Sequence, residues 1–388
     1  MIPYAKQSIT QEDIDTVIQV LGSDFLTQGE MVPAFEQAVA DRVGALFGTA
    51  TNSATSALHI ALLALDVGQG DHVWTSPITF VATSNAALYC GATVDFVDID
   101  PDTFNLSMEV LVEKLDRARD EGKLPKVVIP VHMGGSPCDM STLARLADEY
   151  GFRIIEDASH AIGGRFGDGM IGNGRFSDIT VFSFHPVKII TTGEGGMTVT
   201  NNESLDHKMK MLRSHGITSD PKLMVPMPAE LIFNYQQQQL GFNYRMTELQ
   251  AALGLSQLNR LDAFITERNR QASDYRQAFS DLPVQFQQVA ESDSSSYHLF
   301  IVRLSNCNEQ RHRAVYDLMY TKDVMVNLHY IPVYLQPYYR GLGFQPGHCP
   351  EAELYYREAL TLPLFPDLKH EEWQHVVEAF KTSLEETA

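Results

Sequence analysis

Short apolar runs alternate with amphipathic stretches along the first half of the chain. The apolar runs are typical of buried strands and predict them at residues 47–51, 72–75, 93–97, 126–131, 153–156, 179–183 and 196–200. Between most of these runs, apolar residues recur at helical spacing and predict helices at residues 55–65, 80–89, 111–119 and 141–150. This alternation indicates an α/β protein with a large, mainly parallel sheet covered by helices on both faces. Ligands of such sheets bind beyond the carboxyl ends of the strands.

The second half of the chain follows a different pattern. A long helical periodicity at residues 246–279 indicates a helix that bridges into a smaller C-terminal α/β domain. In that domain we predict strands at residues 297–304 and 324–328 and helices at residues 309–320 and 371–384, whereas the polar tract 236–239 is typical of a loop. A chain of 388 residues is too long for one ordinary domain. We therefore expect two domains, residues 1–245 and 246–388.

The composition argues against several classes of protein. A net charge of −20 opposes nucleic acid binding, and it means that an anionic substrate needs a local cluster of positive groups. No apolar run reaches the length of a membrane span, and the N-terminus lacks the apolar core of a signal peptide. The four cysteines are scattered, which fits free thiols better than disulfides or a metal site. We therefore expect a cytoplasmic protein without a metal, a membrane partner or a nucleic acid partner.

Two groups near the carboxyl ends of predicted strands define the chemistry. Asp157 closes the apolar run 152–157, and Lys188 follows the run 182–187. An acid and an amine so placed are what pyridoxal phosphate (PLP) requires, because the carboxylate keeps the pyridine nitrogen protonated and the amine forms a Schiff base with the aldehyde. Taken alone, the two residues are explained more simply as a strand-end acid and a surface lysine. The surrounding segments favour the PLP interpretation.

Several of these segments offer contacts to such a cofactor. Residues 52–59 lie between a strand and a helix, where unpaired amides and the helix dipole favour a phosphate, although an ordinary N-cap explains the same small polar residues. Phe80 ends a strand region and could stack on a flat ring or belong to the core. His160 could reach the phenolic oxygen of the ring or be structural. Ser183 could supply a hydroxyl to the phosphate.

Several glycine-rich and C-terminal segments have both a functional and a structural explanation. The run Gly193-Glu194-Gly195-Gly196, in a loop with no room for a helix, indicates a close backbone approach, a positive φ or a plain tight turn. The glycines of 163–167 lack the strand–turn–helix context of a dinucleotide site. Asn243 and Arg245 alternate with aromatic residues and could face one way, or could be a helix cap and a solvated side chain. His329 and Tyr330 could border a cleft.

Taken together, the chain resembles the DegT-type sugar-nucleotide aminotransferases, a branch of the fold type I PLP enzymes. The resemblance rests on six segments in the family's order: Asn-Ser-Ala-Thr-Ser-Ala at 52–57, Thr-Phe-Val-Ala-Thr at 79–83, Glu-Asp-Ala-Ser-His-Ala at 156–161, Phe-Ser-Phe-His-Pro-Val-Lys at 182–188, Leu-Arg-Ser-His-Gly at 212–216 and Gly-Phe-Asn-Tyr-Arg at 241–245. It implies Lys188 as the Schiff-base lysine, Asp157 on the pyridine nitrogen and Phe80 on the ring. It also implies a phosphate held by Ala54, Thr55 and Ser183, with Asn243 supplied by the other subunit of a homodimer. Many family members carry Gln at the position of His160.

Within the family, three features resemble one subgroup: the Pro3-Tyr4 start, residues 26–29 and the Ser-His-Ala form of the Asp157 segment. That subgroup transfers an amino group from glutamate to a UDP-linked 4-keto-6-deoxy-N-acetylhexosamine, giving UDP-4-amino-4,6-dideoxy-N-acetyl-β-L-altrosamine for pseudaminic acid. The chain departs from its relatives at 28–30, which leaves perosamine-type or bacillosamine-type substrates as alternatives. The candidate substrate residues are Tyr4, Lys6, Thr27, Arg213, Arg245, His329 and Tyr330.

Three other classes of protein with this fold fit the sequence less well. A PLP-dependent sugar 3-dehydratase carries His where this chain has Lys188. A cysteine desulfurase needs a reactive cysteine on a flexible loop, and Cys349 is the one loop candidate. A non-catalytic regulator that retains the fold is opposed by the intact Asp157 and Lys188 and by the absence of a basic region.

Overall fold

The computed structural model describes residues 1–226 and 235–387. The strands are β1 (Phe47–Thr51), β2 (His72–Thr75), β3 (Thr93–Phe96), β4 (Val127–Ile129), β5 (Arg153–Asp157), β6 (Arg165–Phe166), β7 (Gly169–Met170), β8 (Ile179–Ser183), β9 (Gly196–Thr200), β10 (Ile217–Thr218), β11 (Gln236–Gln237), β12 (Val284–Phe286), β13 (Phe300–Leu304) and β14 (Ala359–Leu362).

The helices are α1 (Gln11–Leu21), α2 (Met31–Val43), α3 (Ala54–Ala64), α4 (Ala82–Tyr89), α5 (Met108–Glu121), α6 (Met140–Tyr150), α7 (Glu203–Arg213), α8 (Glu248–Leu258), α9 (Leu261–Ala278), α10 (Glu309–Thr321), α11 (Pro337–Gly341), α12 (Pro350–Glu358) and α13 (His370–Glu386). Short 3₁₀ turns occur at Met133–Gly135 and Val333–Leu335. None of the helices in the described ranges combines the length and the apolarity needed to cross a membrane.

A seven-stranded sheet in the order β1-β9-β8-β5-β4-β2-β3 organises the molecule. Strands β8, β5, β4, β2 and β3 pair in parallel, and β9 runs antiparallel to both β8 and β1. Both faces carry helices and a buried apolar core. The α/β architecture expected from the sequence, a mostly parallel mixed sheet flanked by helices, is therefore confirmed.

A smaller antiparallel sheet, β12-β13-β14, carries its own core with α9, α10 and α13. The first residues of the chain join this unit, since the amide of Ile2 donates to Asp323 and the amide of Met325 donates back to Ile2. The C-terminal α/β unit thus also takes in residues from the N-terminus. The division at residues 245 and 246 remains a prediction.

Three local predictions were wrong. The pattern at 246–279 is not one helix but α8 and α9, which break at Asn259 and Arg260. The break has a physical cause, since buried Asp13 accepts hydrogen bonds from Gln257 on α8 and from Arg260 in the junction, and this turns the chain. Residues 324–328 make only isolated bridges, and 236–237 form a two-residue strand with β10 rather than a loop.

Candidate active site

A chamber of about 880 Å³ opens at the carboxyl ends of the parallel strands. Its floor comes from the residues that follow β1, β2, β5 and β8, and its far wall comes from Tyr4 and residues 327–330. The chamber therefore lies where the topology of the sheet predicts a ligand, between the large sheet and the C-terminal unit. Its volume is that of a site for a cofactor or another small molecule.

Asp157 ends β5 with its carboxylate in the chamber and only 4% of its surface exposed. One carboxylate oxygen accepts a hydrogen bond from the hydroxyl of Thr83 at 2.7 Å, and the other accepts one from the amide of Ser159 at 3.1 Å. The amide of Asp157 is itself tied to the carbonyl of Pro130 at 2.9 Å. The acid is therefore held in a single orientation.

Glu156 precedes Asp157 and points to the opposite face of β5, because side chains alternate along a strand. From that face it supports the end of the strand that carries Asp157. Glu156 accepts hydrogen bonds from His132 at 2.8 Å and from Thr180 at 2.9 Å, and also from Ser177. The Nδ1 atom of His132 accepts the amide of Cys138 at 3.0 Å, so its Nε2 carries the proton that is donated to Glu156. This buried network ties β4, β5 and β8 together directly behind the carboxylate.

Lys188 lines the same chamber. Enclosure lowers the pKa of its amine from 10.5 to about 8, although the negative charge of Asp157 opposes the shift. The loop that carries Lys188 is closed by two backbone hydrogen bonds, from Phe184 to Gly195 at 2.9 Å and from Thr192 to Phe184 at 3.0 Å. The structure therefore brings the predicted amine and acid into one chamber, with the amine tuned toward its neutral, nucleophilic form.

The first turn of α3 forms another edge of the chamber, which Ala54, Thr55 and Ser183 line. Ser53 caps the helix by accepting the amide of Ser56 at 3.1 Å, which leaves the amides of the first helical residues for a ligand.

Gly196 on β9, the strand beside β1, leaves room for the first turn of α3. A Cβ at Gly196 would lie 2.5 Å from the amide nitrogen of Ala54, so only glycine lets β9 pass so close. The close backbone approach expected of the 193–196 run is confirmed, and Gly193 adds a positive φ of 82°.

Phe80 is not part of the core. Its side chain is 60% exposed and lines the chamber, with Tyr330 as a ring neighbour at 6.4 Å between centroids. A large aromatic ring exposed inside a cavity is suited to stack on a flat ligand.

Histidines and tyrosines form one wall of the chamber. The Nε2 atom of His160 lies 3.2 Å from the hydroxyl of Tyr330, and the Nδ1 atom of His329 lies 2.9 Å from the hydroxyl of Thr361. Burial, together with the nearby charge of Lys188, lowers the pKa of His329 to about 3 and that of His160 well below its ordinary value. The wall is therefore neutral and polar at physiological pH.

Five residues predicted for the site lie outside the chamber of their own chain. Lys6, Thr27 and Asn243 are exposed. Arg213 is engaged by the carboxylate of Glu36 and by the carbonyl of Ala50, the latter at 2.8 Å. Arg245 lines a separate small cleft of about 200 Å³ with Gln28 and Arg213.

Thr83 and His298 are among the chamber residues that the sequence did not predict. Thr83 holds Asp157, but nothing in its position at the start of a helix distinguishes it from a capping residue. His298 lies in the wall beside His160, with 4.6 Å between the ring centroids. Its position just before β13 gave no signal, because the topology that folds this segment back onto the chamber is not visible in the sequence.

These residues fit PLP. The chamber offers an amine, a fixed carboxylate, an exposed aromatic ring and a helix N-terminus at one cavity. In addition, the Nδ1 atom of His160 is buried and has no partner among the described residues. No cluster of His, Cys, Asp and Glu in the described ranges is arranged to hold a metal, and the four cysteines are free.

Comparisons with known proteins agree with this geometry. A model of the DegT/DnrJ/EryC1/StrS aminotransferase family matches residues 7–381. The spore coat polysaccharide biosynthesis protein SpsC of Bacillus subtilis is 35% identical over 384 residues, which cover 98% of this chain and 96% of SpsC. The structure matches the PMP form of Spr1654 from Streptococcus pneumoniae with a TM-score of 0.92 at 28% identity, over 100% of both chains. It matches Helicobacter pylori PseC, an aminotransferase involved in the biosynthesis of pseudoaminic acid, with a TM-score of 0.88 at 30% identity, over 99% of both chains.

Fold, chamber and comparisons together define a fold type I, PLP-dependent sugar aminotransferase. The chain belongs to the DegT/DnrJ/EryC1/StrS aminotransferase family.

Proposed function

We propose that this enzyme transfers the amino group of glutamate to C4 of a UDP-linked 4-keto-6-deoxy-N-acetylhexosamine, giving UDP-4-amino-4,6-dideoxy-N-acetyl-β-L-altrosamine. The reaction type is supported above all by one observation: Lys188 and Asp157 lie in one chamber beside the N-terminus of α3. The likeness to PseC over nearly the whole chain and the sequence features of the subgroup support this particular sugar.

When bound, PLP supplies an aldehyde that bonds to an amine and a protonated ring that accepts electrons from the carbon being deprotonated. Lys188 provides the amine. When its amine is free, Lys188 would be the base that moves the proton of the donor's Cα. Asp157, oriented by Thr83 and Ser159, keeps the pyridine nitrogen protonated. The same residues act in reverse order on the 4-keto sugar.

The remaining predicted cofactor residues orient the ring. Phe80 would stack on the ring, and the amides of Ala54 and Thr55 with the hydroxyl of Ser183 would bind the phosphate. His160 would interact with the phenolic oxygen. Tyr4, His329 and Tyr330, from the neutral wall, contact the sugar, because hydroxyl and imidazole groups pair with sugar hydroxyls without a charge.

A second subunit completes the site in this proposal. Asn243 is exposed and lies outside the chamber of its own chain, and the cleft of Arg213 and Arg245 opens on the surface. Phe25 and Leu240, in segments near this cleft, are also exposed, and exposed apolar side chains mark interaction surfaces. A homodimer in which Asn243 and the arginine cleft approach the partner's chamber accounts for both observations. In this proposal Lys6 and Thr27, which are both exposed, also contribute to substrate binding.

The substrate is tested with purified enzyme, glutamate and a panel of UDP-linked 4-keto-6-deoxy sugars. We expect amino sugar to form from the N-acetylhexosamine precursor of the altrosamine product, and a Lys188→Ala variant to form none. Lys208→Ala, which changes a half-buried lysine on α7 that pairs with Asp66 outside the chamber, is the matched control and retains activity. Preference for a perosamine-type or bacillosamine-type precursor would replace the proposed sugar with that alternative. Turnover by Lys188→Ala at the wild-type rate would contradict the reaction type.

A further inference from the structure

The segment 294–299, which we term the His298 loop, is hydrogen-bonded to the 3₁₀ turn at Met133–Gly135. Its Ser296 amide donates to the carbonyl of Gly135 at 3.1 Å, and its Leu299 amide donates to the carbonyl of Gly134 at 3.2 Å. A side chain at Gly135 would collide with the hydroxyl of Ser296 and approach the carbonyl of His160 to 3.0 Å. The close packing of this loop therefore requires a glycine opposite it.

The loop also contains backbone strain. Tyr297 adopts a left-handed conformation with a φ of 45°, which is uncommon for a bulky residue and persists only where the surroundings impose it. Its amide donates to the hydroxyl of Ser295 at 3.0 Å. The consequence of this conformation is the placement of the next residue, His298, in the chamber wall with 3% of its surface exposed.

A buried arginine fixes the loop from behind. Arg268 on α9 is 1% exposed, and its guanidinium donates to the carbonyls of Tyr297 at 3.2 Å, His298 at 3.3 Å and Leu364 at 3.0 Å. No carboxylate among the described residues pairs with it, whereas Arg303, also buried, pairs with two glutamates. Desolvation of a buried charge is costly, and hydrogen bonds to these carbonyl groups offset part of that cost while they fix the backbone.

The loop acts directly on His160. The Ser296 hydroxyl donates to the carbonyl of His160 at 2.8 Å, and the His298 ring packs against the His160 ring at 4.6 Å between centroids. The Nδ1 atoms of both imidazoles are buried and have no partner in the described part of the chain. Contact with the His298 ring and the hydrogen bond with the hydroxyl of Tyr330 therefore both restrain the His160 ring.

We propose that His298 is a positioning residue that fixes the ring of His160 in the chamber, and that Arg268 acts through the His298 loop to keep it there. The inference rests on the proposed function in one respect, namely that His160 faces the phenolic oxygen of the cofactor. A residue that acts on the cofactor through His160 affects both half-reactions. A residue that contacts only one substrate affects only the half-reaction of that substrate.

A double-mutant cycle on the holoenzyme tests the proposal, with His298→Asn, His160→Gln and the double variant. The readouts are the pH midpoint of the visible absorbance change of the bound cofactor and the rates of the two half-reactions. We expect His298→Asn to move the midpoint and to slow both half-reactions about three- to tenfold, the range of one lost hydrogen bond or contact. In the His160→Gln background the same change has almost no further effect, because coupled residues are not additive.

Arg268 is tested with two variants, since removal of a buried cation can prevent folding. Arg268→Lys keeps the charge but loses the planar geometry, and we expect it to shift the midpoint in the same direction as His298→Asn. The thermal unfolding temperatures of Arg268→Met and Arg268→Lys are also compared. If His298→Asn does not retain the cofactor, His298→Gln takes its place in the cycle. The matched control is His312→Asn, a half-buried imidazole on α10 that binds the carbonyl of Ala359 at 2.8 Å outside the chamber and leaves both readouts unchanged.

Two results would overturn the proposal: an unchanged pH midpoint in His298→Asn, or an effect of the same size with and without His160. A loss confined to one half-reaction would assign His298 to a substrate instead. Failure of the proposed function is distinguishable, because wild-type enzyme would then show no spectral change with glutamate or form no amino sugar from the proposed UDP sugar, while the pH midpoint would still report on His298.

Discussion

The acid–base behaviour of Lys188 can be tested without any substrate. Enclosure in the chamber brings the pKa of the amine from 10.5 to about 8, and the charge of Asp157 limits this fall. At pH 7 about one-tenth of such an amine is neutral, roughly 300 times the fraction for an ordinary lysine. Only the neutral amine attacks a carbonyl carbon. We therefore expect Lys188 in the cofactor-free protein to react with carbonyl reagents with a midpoint near pH 8.

The perturbation is Asp157→Asn, which removes the negative charge and keeps the shape of the side chain. Because that charge raises the pKa of Lys188, its loss lowers the pKa below about 8. The neutral fraction at pH 7 rises, so Lys188 of the variant captures an aldehyde faster than that of the wild type. Transamination falls, however, since the pyridine nitrogen loses its anionic partner. The two rates move in opposite directions.

The assay is competitive reductive methylation of cofactor-free protein across a range of pH, with each lysine followed by peptide mass spectrometry. The exposed lysines of the same sample are the internal reference. A Lys188 midpoint equal to theirs would refute the argument that the chamber tunes the amine. A higher midpoint in Asp157→Asn than in the wild type would refute the argument that the acid and the amine interact.

Three further predictions concern the residues proposed to hold the cofactor and the proposed homodimer. Gly196→Ala places a Cβ against the first amide of α3, so the variant releases the cofactor at least about tenfold faster in a dialysis assay, whereas Gly68→Ala, with open space around it, behaves as wild type. Phe80→Ala weakens cofactor binding about tenfold by equilibrium titration, because a stacked aromatic ring contributes about 0.5–1.5 kcal/mol beyond its buried area, and Phe80→Tyr restores binding. If Asn243 acts across a dimer, refolded mixtures of inactive Asn243→Ala and Lys188→Ala chains regain about a quarter of wild-type activity, since random pairing gives one intact site in half of the dimers. Mixtures that stay inactive would argue against a shared site.

The fold was largely predictable because its strands are short apolar runs with clear boundaries. All seven strands of the large sheet were predicted within a few residues. The helices α1, α2, α7, α11 and α12 were missed, since they lie outside the strand–helix alternation on which the prediction rested. The break between α8 and α9 was missed because it depends on Asp13, more than 200 residues away in sequence.

Site residues were predictable where they lie at or just after the end of a strand. They were unpredictable where contacts between distant segments determine the position of the side chain. Asp157, Lys188 and Ser183 follow strands of one sheet, so their meeting follows from the topology. Arg213 looked like a free cation in the sequence, yet it pairs with Glu36 on α2, which no local pattern indicates. His298 reaches the chamber only through a strained backbone and a buried arginine, and neither leaves a signature in the chain.

The central claim is that Lys188 is the residue that bonds to the cofactor. Borohydride reduction of the holoenzyme, followed by proteolysis and peptide mass spectrometry, tests it most directly. We expect the reduced cofactor on one peptide, attached at Lys188, and no label when the position is alanine. Attachment at any other lysine, or retention of the label by Lys188→Ala, would contradict this account of the site.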